Sequence, residues 1–340
     1  MHRTSRLPGT LPARLWFATL LASIAHVACA APATMDTPWM PRHTDTTMRV
    51  LSWNISREAF FKAGEKTGKL LAAAAPDILL LDEMPVSATP DSLAGFLDRT
   101  IPGSPWHVVI GQATGALERG SISSRWPLKR VERFDGLHYS QHDIQRWIEA
   151  SGDHSERLRK TLPFGVAVAG AIANIEGRHI LLVSFDLQCC GDSPDAWEET
   201  RRQVEARLIR AAIEDTLAAK RIDAVILGGD ANNVQGDEVL RILQGNPADL
   251  TDTPAQREDS TDWTWDGRGT PFPSRKIDHN LHSTHLRVSQ ALVFDPEGWP
   301  DEWLDYYEVS RDWAGQISAH RPVVVDFSLN GSTMDNRPQR

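Results

Sequence analysis

The chain has 340 residues, 41% hydrophobic and 24% charged. That composition excludes a disordered, fibrous or low-complexity polymer and allows one large domain or two smaller ones. Acidic residues outnumber basic ones, for a formal charge of −9 at pH 7, which weighs against a protein that grips polymeric nucleic acid through a broad basic surface.

The first thirty residues form a unit of their own. Arg3, Arg6 and Arg14 precede the apolar stretch Leu15 to Val27, and Ala28-Cys29-Ala30 follows. A basic region, a short apolar core and a small-x-small site describe a secretory signal, cleaved here after Ala30. The expected location is therefore outside the cytoplasm, in a periplasm or secreted. A lipoprotein signal would acylate Cys29, but it wants an aliphatic residue where His26 stands. The apolar stretch is too short to span a bilayer, and no later segment qualifies as a transmembrane helix. Removing residues 1–30 leaves 33 basic against 45 acidic residues, a charge of −12. Residues 31–46, rich in Pro and Thr, read as an exposed leader, residues 47–330 as the folded domain and 331–340 as a tail.

Along the domain, Met48 to Asn54 is a short apolar strand. Glu58 to Ala75 has helical character and stops at Pro76. Asp77 to Leu81 is a strand buried on both faces that ends at Asp82-Glu83. Asp91 to Leu97 predicts a short helix; Trp106 to Ile110 and Ser121 to Ser123 predict strands. Gln141 to Lys160, polar and His-containing, reads as a helical insertion or lid. Phe164 to Asn174 and His179 to Phe185 form a hairpin around Glu176-Gly177. Pro194 to Lys220 is the strongest helix, with Val204, Leu208, Ala212 and Ile213 at helical spacing. Asp223 to Leu227 is a buried strand closed by Gly228-Gly229. Lys276 to Leu281, Leu286 to Phe294 and Pro322 to Phe327 supply the last strands. Strands and helices mix throughout, with hairpins among them, so the expectation is one layered α/β domain.

Outside the signal, the cysteines are Cys189 and Cys190. An exported compartment permits disulfides. Adjacent cysteines close only a strained ring, because neighbouring Cα atoms sit nearer than ordinary disulfides want. The other reading is two buried free thiols.

One feature recurs: buried strands end in Asn, Asp, Glu or His. Trp53-Asn54 and Asp82-Glu83 end the first two. Gly228-Gly229-Asp230-Ala231-Asn232 follows the strand at Val225 to Leu227. Lys276-Ile277-Asp278-His279 lies in a later one, and Ser318-Ala319-His320-Arg321-Pro322 precedes the last. Ligands of α/β sheets bind where strand ends converge, and carboxylate and amide oxygens suit hard cations such as Mg²⁺ or Mn²⁺. Taken singly, each piece has an ordinary explanation as a turn, a cap or a solvated loop. The ordered set is far more specific.

That order resembles the endonuclease/exonuclease/phosphatase superfamily over nearly all of residues 48–328. Ser121-Ile-Ser-Ser-Arg-Trp-Pro-Leu128 and Thr264-Trp265 add to the likeness, while the rest of residues 112–160 matches nothing in it. The resemblance implies a four-layer α/β sandwich of two packed mixed β-sheets flanked by helices. It also implies a Mg²⁺-dependent hydrolase of phosphoesters, with Mn²⁺ as the alternative ion. By position, Asn54 and Glu83 resemble the residues lining the metal, Glu83 as a direct ligand. Asp230 resembles the acid that orients or deprotonates the attacking water, and Asn232 the amide that holds the phosphate. Asp278 resembles the carboxylate paired with a final histidine, here His320, which contacts the scissile phosphate.

Two positions depart from the family pattern. Ala319 stands where an Asp that contributes to metal binding usually precedes the histidine. Asp186 stands where a His or another proton donor is common; it would either bind metal, offsetting the missing carboxylate, or act as a protonated acid. The implied activity is an exported phosphodiesterase on a small phosphoester or phospholipid head group, the expected state a monomer. The alternatives are a nuclease of the same fold, disfavoured by the acidic charge, and a non-catalytic binder of a phosphorylated ligand. Outside the resemblance, His279, His282 and His285 do not share one face in a strand, which argues against a zinc site. Trp299 to Trp313 with Tyr306 and Tyr307 is the candidate for a substrate or lipid rim, and Arg275-Lys276 for a phosphate contact.

Overall fold

The computed structural model describes residues 40–101, 103, 105–112, 118–191, 193–246 and 249–329. The expected signal peptide, most of the leader and the 331–340 tail lie outside the described residues. In chain order the elements are β1 (Met48–Asn54), α1 (Glu58–Lys62), α2 (Gly64–Ala74), β2 (Ile78–Asp82), α3 (Pro90–Thr100), β3 (His107–Ile110), β4 (Ser121–Ser124) and β5 (Leu128–Arg130). Then follow α4 (Gln141–Ala150), α5 (Ser155–Thr161), β6 (Ala167–Ile175), β7 (Arg178–Asp186), α6 (Trp197–Ala219), β8 (Ala224–Asp230), α7 (Glu238–Gln244) and β9 (Leu250–Asp252). The last are β10 (Asp278–Ser283), β11 (Leu286–Val293), α8 (Asp301–Tyr307), α9 (Trp313–Ile317) and β12 (Val323–Leu329).

The strands form two mixed six-stranded sheets, in the orders β11-β12-β1-β2-β4-β3 and β5-β6-β7-β8-β10-β9. Alternation along each strand sends every second side chain to the same face. Val50, Leu80, Ala171, Leu182, Ile226 and Val325 meet in a core between the sheets. Leu51, Leu79 and Val324 face the other way, onto Phe60, Leu71, Leu97 and Ile317 from the helices covering the first sheet. Leu181 and Leu227 face Trp147, Ile209 and Val239 on the second. The layers are thus helices, sheet, sheet, helices.

The face between the sheets changes character along the strands. β1 presents Met48, Val50, Ser52 and Asn54 to it, and in parallel register β2 presents Ile78, Leu80 and Asp82. On the second sheet β7 presents Ile180, Leu182, Ser184 and Asp186, aligned with Ala224, Ile226, Gly228 and Asp230 of β8. β10 runs antiparallel, so its Asp278 lies beside Asp230 and its Asn280 beside Gly228. Apolar side chains fill one end of the layer, and carboxylates and amides gather at the other. Small residues between them let the sheets approach: a Cβ on Gly228 would lie 2.9 Å from both Leu80 Cδ1 and Ser52 Cβ.

Two expectations change. The glycines at 228–229 do not close β8; they lie within it, and the strand runs on to Asp230: a Cβ on Gly228 would enter the filled inter-sheet space, and one on Gly229, at φ 153°, would meet the Phe185 backbone. Residues 141–160 are helical but no lid. Trp147 is wholly buried, its Nε1 donating to Thr200 Oγ1 at 3.0 Å, and Leu158 joins the same core. The polar face of α4 had hidden an apolar one.

Gly228→Ala should destabilise the fold by about 1–3 kcal/mol through overpacking of a well-filled layer. Urea unfolding reads this as a lower midpoint at unchanged slope.

Candidate active site

The strand ends bring together residues far apart in sequence. His320 Nδ1 donates to Asp278 Oδ2 at 2.9 Å, and its Nε2 lies 3.8 Å from Asp230 Oδ2. The backbone N–H groups of Ile277 and Asp278 donate to Thr264 Oγ1 at 3.1 and 2.9 Å, fixing the start of β10. Asn54 Nδ2 reaches Asp230 Oδ2 at 3.4 Å and Glu83 Oε1 at 3.2 Å. The Asn232 N–H donates to Asp230 Oδ1 at 2.8 Å, and its Nδ2 to the Leu187 carbonyl at 2.9 Å. Trp53 Nε1 donates to the His320 carbonyl, and Ser318 Oγ ties the Asn54 carbonyl to the His320 N–H. Asn54, Glu83, Asp230, Asn232, Asp278 and His320 therefore converge as the sequence suggests. Asp186 lies beside Asp230 in the β7–β8 register. Ala319 is exposed and brings no donor side chain.

The backbone is strained here. Ser56, Arg57, Glu83 and Asn232 hold φ values of 49°, 60°, 52° and 48°. Non-glycine residues in the left-handed region cost energy and persist where surrounding contacts impose them; Asn54 Oδ1, which accepts from the Ser56 N–H, and Asp230 do so here.

Charge is concentrated and dry. Burial pushes the Asp82 carboxyl well above the ordinary range, and Asp278, Asp230 and Glu83 add to the shift. Burial likewise raises Asp186, and repulsion from Glu118 and Asp230 adds to the shift. Asp230 is pushed to about 8 by burial and by Asp278, against the opposing pull of His320. For His320, burial disfavours the cation, but the adjacent Asp278 and Asp230 outweigh it and lift the imidazole to about 9. The protonated ring gives Nδ1–H to Asp278 and turns Nε2–H toward Asp230. Arg57, which pairs with Glu118 and lies 3.6 Å from Glu83, is a second cation at this edge, and Arg157 also acts on Glu118.

This arrangement fits a hard divalent cation. Both Asp82 carboxylate oxygens are buried without a hydrogen-bond partner, and carboxylates outnumber the cations around them. The donors are oxygens, as Mg²⁺ and Mn²⁺ require. Among the described residues, Asp230, Asp278 and His320 bring their ligand atoms within 4.8 Å of one another. Because His320 Nδ1 is engaged by Asp278 and its Nε2 faces Asp230, Glu83, Asp186 and the Asn54 amide would be the better holders of an ion.

Glu118 and Arg57 were not foreseen, and Asp82, singled out with Glu83 as a strand end, was given no role of its own. Asp82 was readable from strand alternation, which puts it on the Ile78–Leu80 face; Glu118 and Arg57 sit in loops without a periodic signal. The histidine series is settled by β10: His279 bonds Asp252 and Asn233, whereas His282, on the opposite face, bonds Thr253. Lys276 pairs with Asp252, and Arg275 donates to the Val234 carbonyl. Trp299 is core rather than rim, while Tyr306 is exposed. Cys189 and Cys190 are free but exposed, correcting the expectation of buried thiols: the chain has left the sheet by then and crosses the surface.

The model of the Endonuclease/Exonuclease/phosphatase family matches residues 51–320. The chain belongs to that family. No curated protein matches it in sequence. Among solved structures it is similar to the endonuclease/exonuclease/phosphatase of Beutenbergia cavernae, at 18% identity and TM-score 0.54, over 84% of this chain and 72% of that one. Truncated TDP2 of Caenorhabditis elegans gives 16% and 0.55, over 83% and 97%. The human nocturnin catalytic domain gives 17% and 0.52, over 83% and 93%. At these identities the likeness is one of fold. The family's activities are hydrolyses of phosphoester bonds, and the chain is a phosphoester hydrolase of that family.

Asp278→Asn should bring the His320 titration down from about 9 in metal-free protein, as imidazole proton NMR would show. A raised folded pKa contributes stability that is complete below the unfolded value of 6.5 and lost as pH rises through about 9. The variant should therefore flatten the fall of melting temperature across that window; an unmoved titration would show that Asp278 does not hold the proton.

Proposed function

We propose that the chain is an exported, metal-dependent phosphodiesterase that hydrolyses a small phosphoester or phospholipid head group by water attack at phosphorus. The observation that carries this reading is the juxtaposition of His320, Asp278 and Asp230 at the dry end of the inter-sheet layer. Asp230 orients a water and takes its proton. His320 directs Nε2–H to a non-bridging oxygen of the scissile phosphate, and Asp278 holds the ring. The Asn232 amide holds the phosphate on its other side. Glu83, Asn54 and Asp186 would hold the ion, which when bound would supply charge neutralisation at the phosphate oxygens. Asp186 supplies the carboxylate that Ala319 lacks. Export is supported by the basic, apolar and small-residue pattern of residues 1–30, and a small substrate by the charge of −12 on residues 31–340.

The test is product release from a panel of phosphodiesters and phosphomonoesters by residues 31–340, with Mg²⁺, with Mn²⁺ and with chelator. His320→Ala and Asp230→Ala should each lower kcat by roughly 100- to 10,000-fold in protein whose circular dichroism spectrum is that of the parent. Full activity in both variants would overturn the site assignment, and turnover indifferent to chelator would overturn the metal dependence. Ala319→Asp should tighten Mg²⁺ binding in calorimetry; an unchanged affinity places residue 319 beyond reach of the ion.

A further inference from the structure

Directly after β7 the chain makes a surface loop that carries two adjacent thiols. Cys189 and Cys190 are both exposed, and their sulfurs share a hydrogen bond at 2.9 Å. Adjacent residues in a strand would point their side chains to opposite faces; here Cys190 takes φ 72°, which turns both sulfurs to one side. The loop is clamped. The buried Arg202 guanidinium donates to the Gln188 and Cys190 carbonyls at 2.6 and 2.9 Å and is itself held by Glu199 at 2.8 Å. Gln235 Nε2 donates to the Gly191 carbonyl at 2.9 Å. At its other end the loop touches the catalytic cluster: the Leu187 N–H donates to the Asp230 carbonyl at 3.0 Å, and the Leu187 carbonyl accepts from Asn232 Nδ2.

We propose that Cys189 and Cys190 form a thiol–disulfide exchange site that takes a small-molecule disulfide, closes to a vicinal disulfide, and transmits that change through Leu187 to Asp230 and Asn232. The nucleophile is Cys190, whose thiol is lowered to about 6 by its hydrogen bond with Cys189 despite partial burial, while the same bond raises Cys189. The Cys190 thiolate attacks one sulfur of R–S–S–R, forming a mixed disulfide and releasing RS⁻. The Cys189 thiol then gives its proton to solvent and attacks Cys190 Sγ, expelling the second RS⁻. The protein loses two electrons and the small disulfide gains them, leaving two molecules of RSH. Closing the bond brings the sulfurs from 2.9 Å to about 2.05 Å. Cα atoms joined by one trans peptide are only about 3.8 Å apart, below the usual disulfide range, so the ring is strained and readily reduced. A strained ring cannot keep the relaxed loop geometry, and the Arg202 clamp directs the adjustment toward Leu187.

The experiment exposes the full chain to oxidised glutathione over a range of redox buffers. Peptide mapping after alkylation follows Cys189 and Cys190 apart from Cys29, and amide hydrogen exchange follows residues 186–191 and 230–234. The expected result is joint loss of both thiols without a retained glutathione, reversed by reductant, with altered exchange at Leu187 and Asp230–Asn232. Cys189→Ser should arrest the reaction as a stable glutathione adduct on Cys190, and Cys190→Ser should slow adduct formation roughly tenfold at neutral pH. Two thiols that stay alkylatable, or a wild-type adduct that never resolves, overturn the exchange site. A ring that forms with unchanged exchange at residues 230–232 overturns the link to the catalytic cluster. None of these readouts uses hydrolysis, so they stand apart from the proposed function.

Discussion

How closely two sheets approach decides what can happen at their ends. At Gly228 the backbone of β8 lies against Ser52 and Leu80 with no room for a methyl group. Ala169, Ala171 and Ala173 keep β6 similarly small on the same face. With bulkier residues at these positions the strands would splay. Asn54, on the first sheet, would then lose its contact with Asp230 on the second. Asp82 and Asp230 have raised pKa values because they are dry, and they are dry because the layer beneath them is narrow.

That arrangement sets carboxylates against one another. Asp82 at a strand end of the first sheet and Asp230 and Asp278 at neighbouring strand ends of the second line the same buried layer, and desolvation and mutual repulsion act on them together. Partial relief comes from the His320 imidazolium, held between Asp278 and Asp230, and from Arg57 at the outer edge. Left-handed backbone at Glu83 and Asn232 adds to the cost. The apolar end of the layer and the two helix-covered outer cores supply the stability that sustains this strain.

Much of this was legible because strand ends mark themselves. An apolar run that stops at Asn54, Asp82-Glu83 or Asp230 announces both a buried strand and a polar terminus. The order of such termini identified the sandwich and six of the converging side chains. Other features were not local. Whether Gly228-Gly229 ends a strand or continues it depends on the opposite sheet, which the local sequence does not contain. The 141–160 segment looked like a polar lid because most of its residues are solvated; the burial of Trp147 is decided by α6. Glu118 and Arg57 meet Glu83 only through the paths of two loops. The exposure of Cys189 and Cys190 follows from where β7 leaves the sheet.

The buried Arg49–Asp326 pair ties β1 to β12 across 277 residues of sequence, with Arg49 Nη1 also donating to the Ala74 carbonyl at the end of α2. The first strand of the domain thus sits in the middle of its sheet, flanked on one side by the last. During synthesis β1 and β2 emerge early, yet β1 keeps an open edge, and Arg49 an unanswered charge, until the final strand is made. Folding of this sheet is therefore a late, whole-chain event governed by long-range closure. His320, three residues before β12, reaches Asp278 and Asp230 in that same closing step.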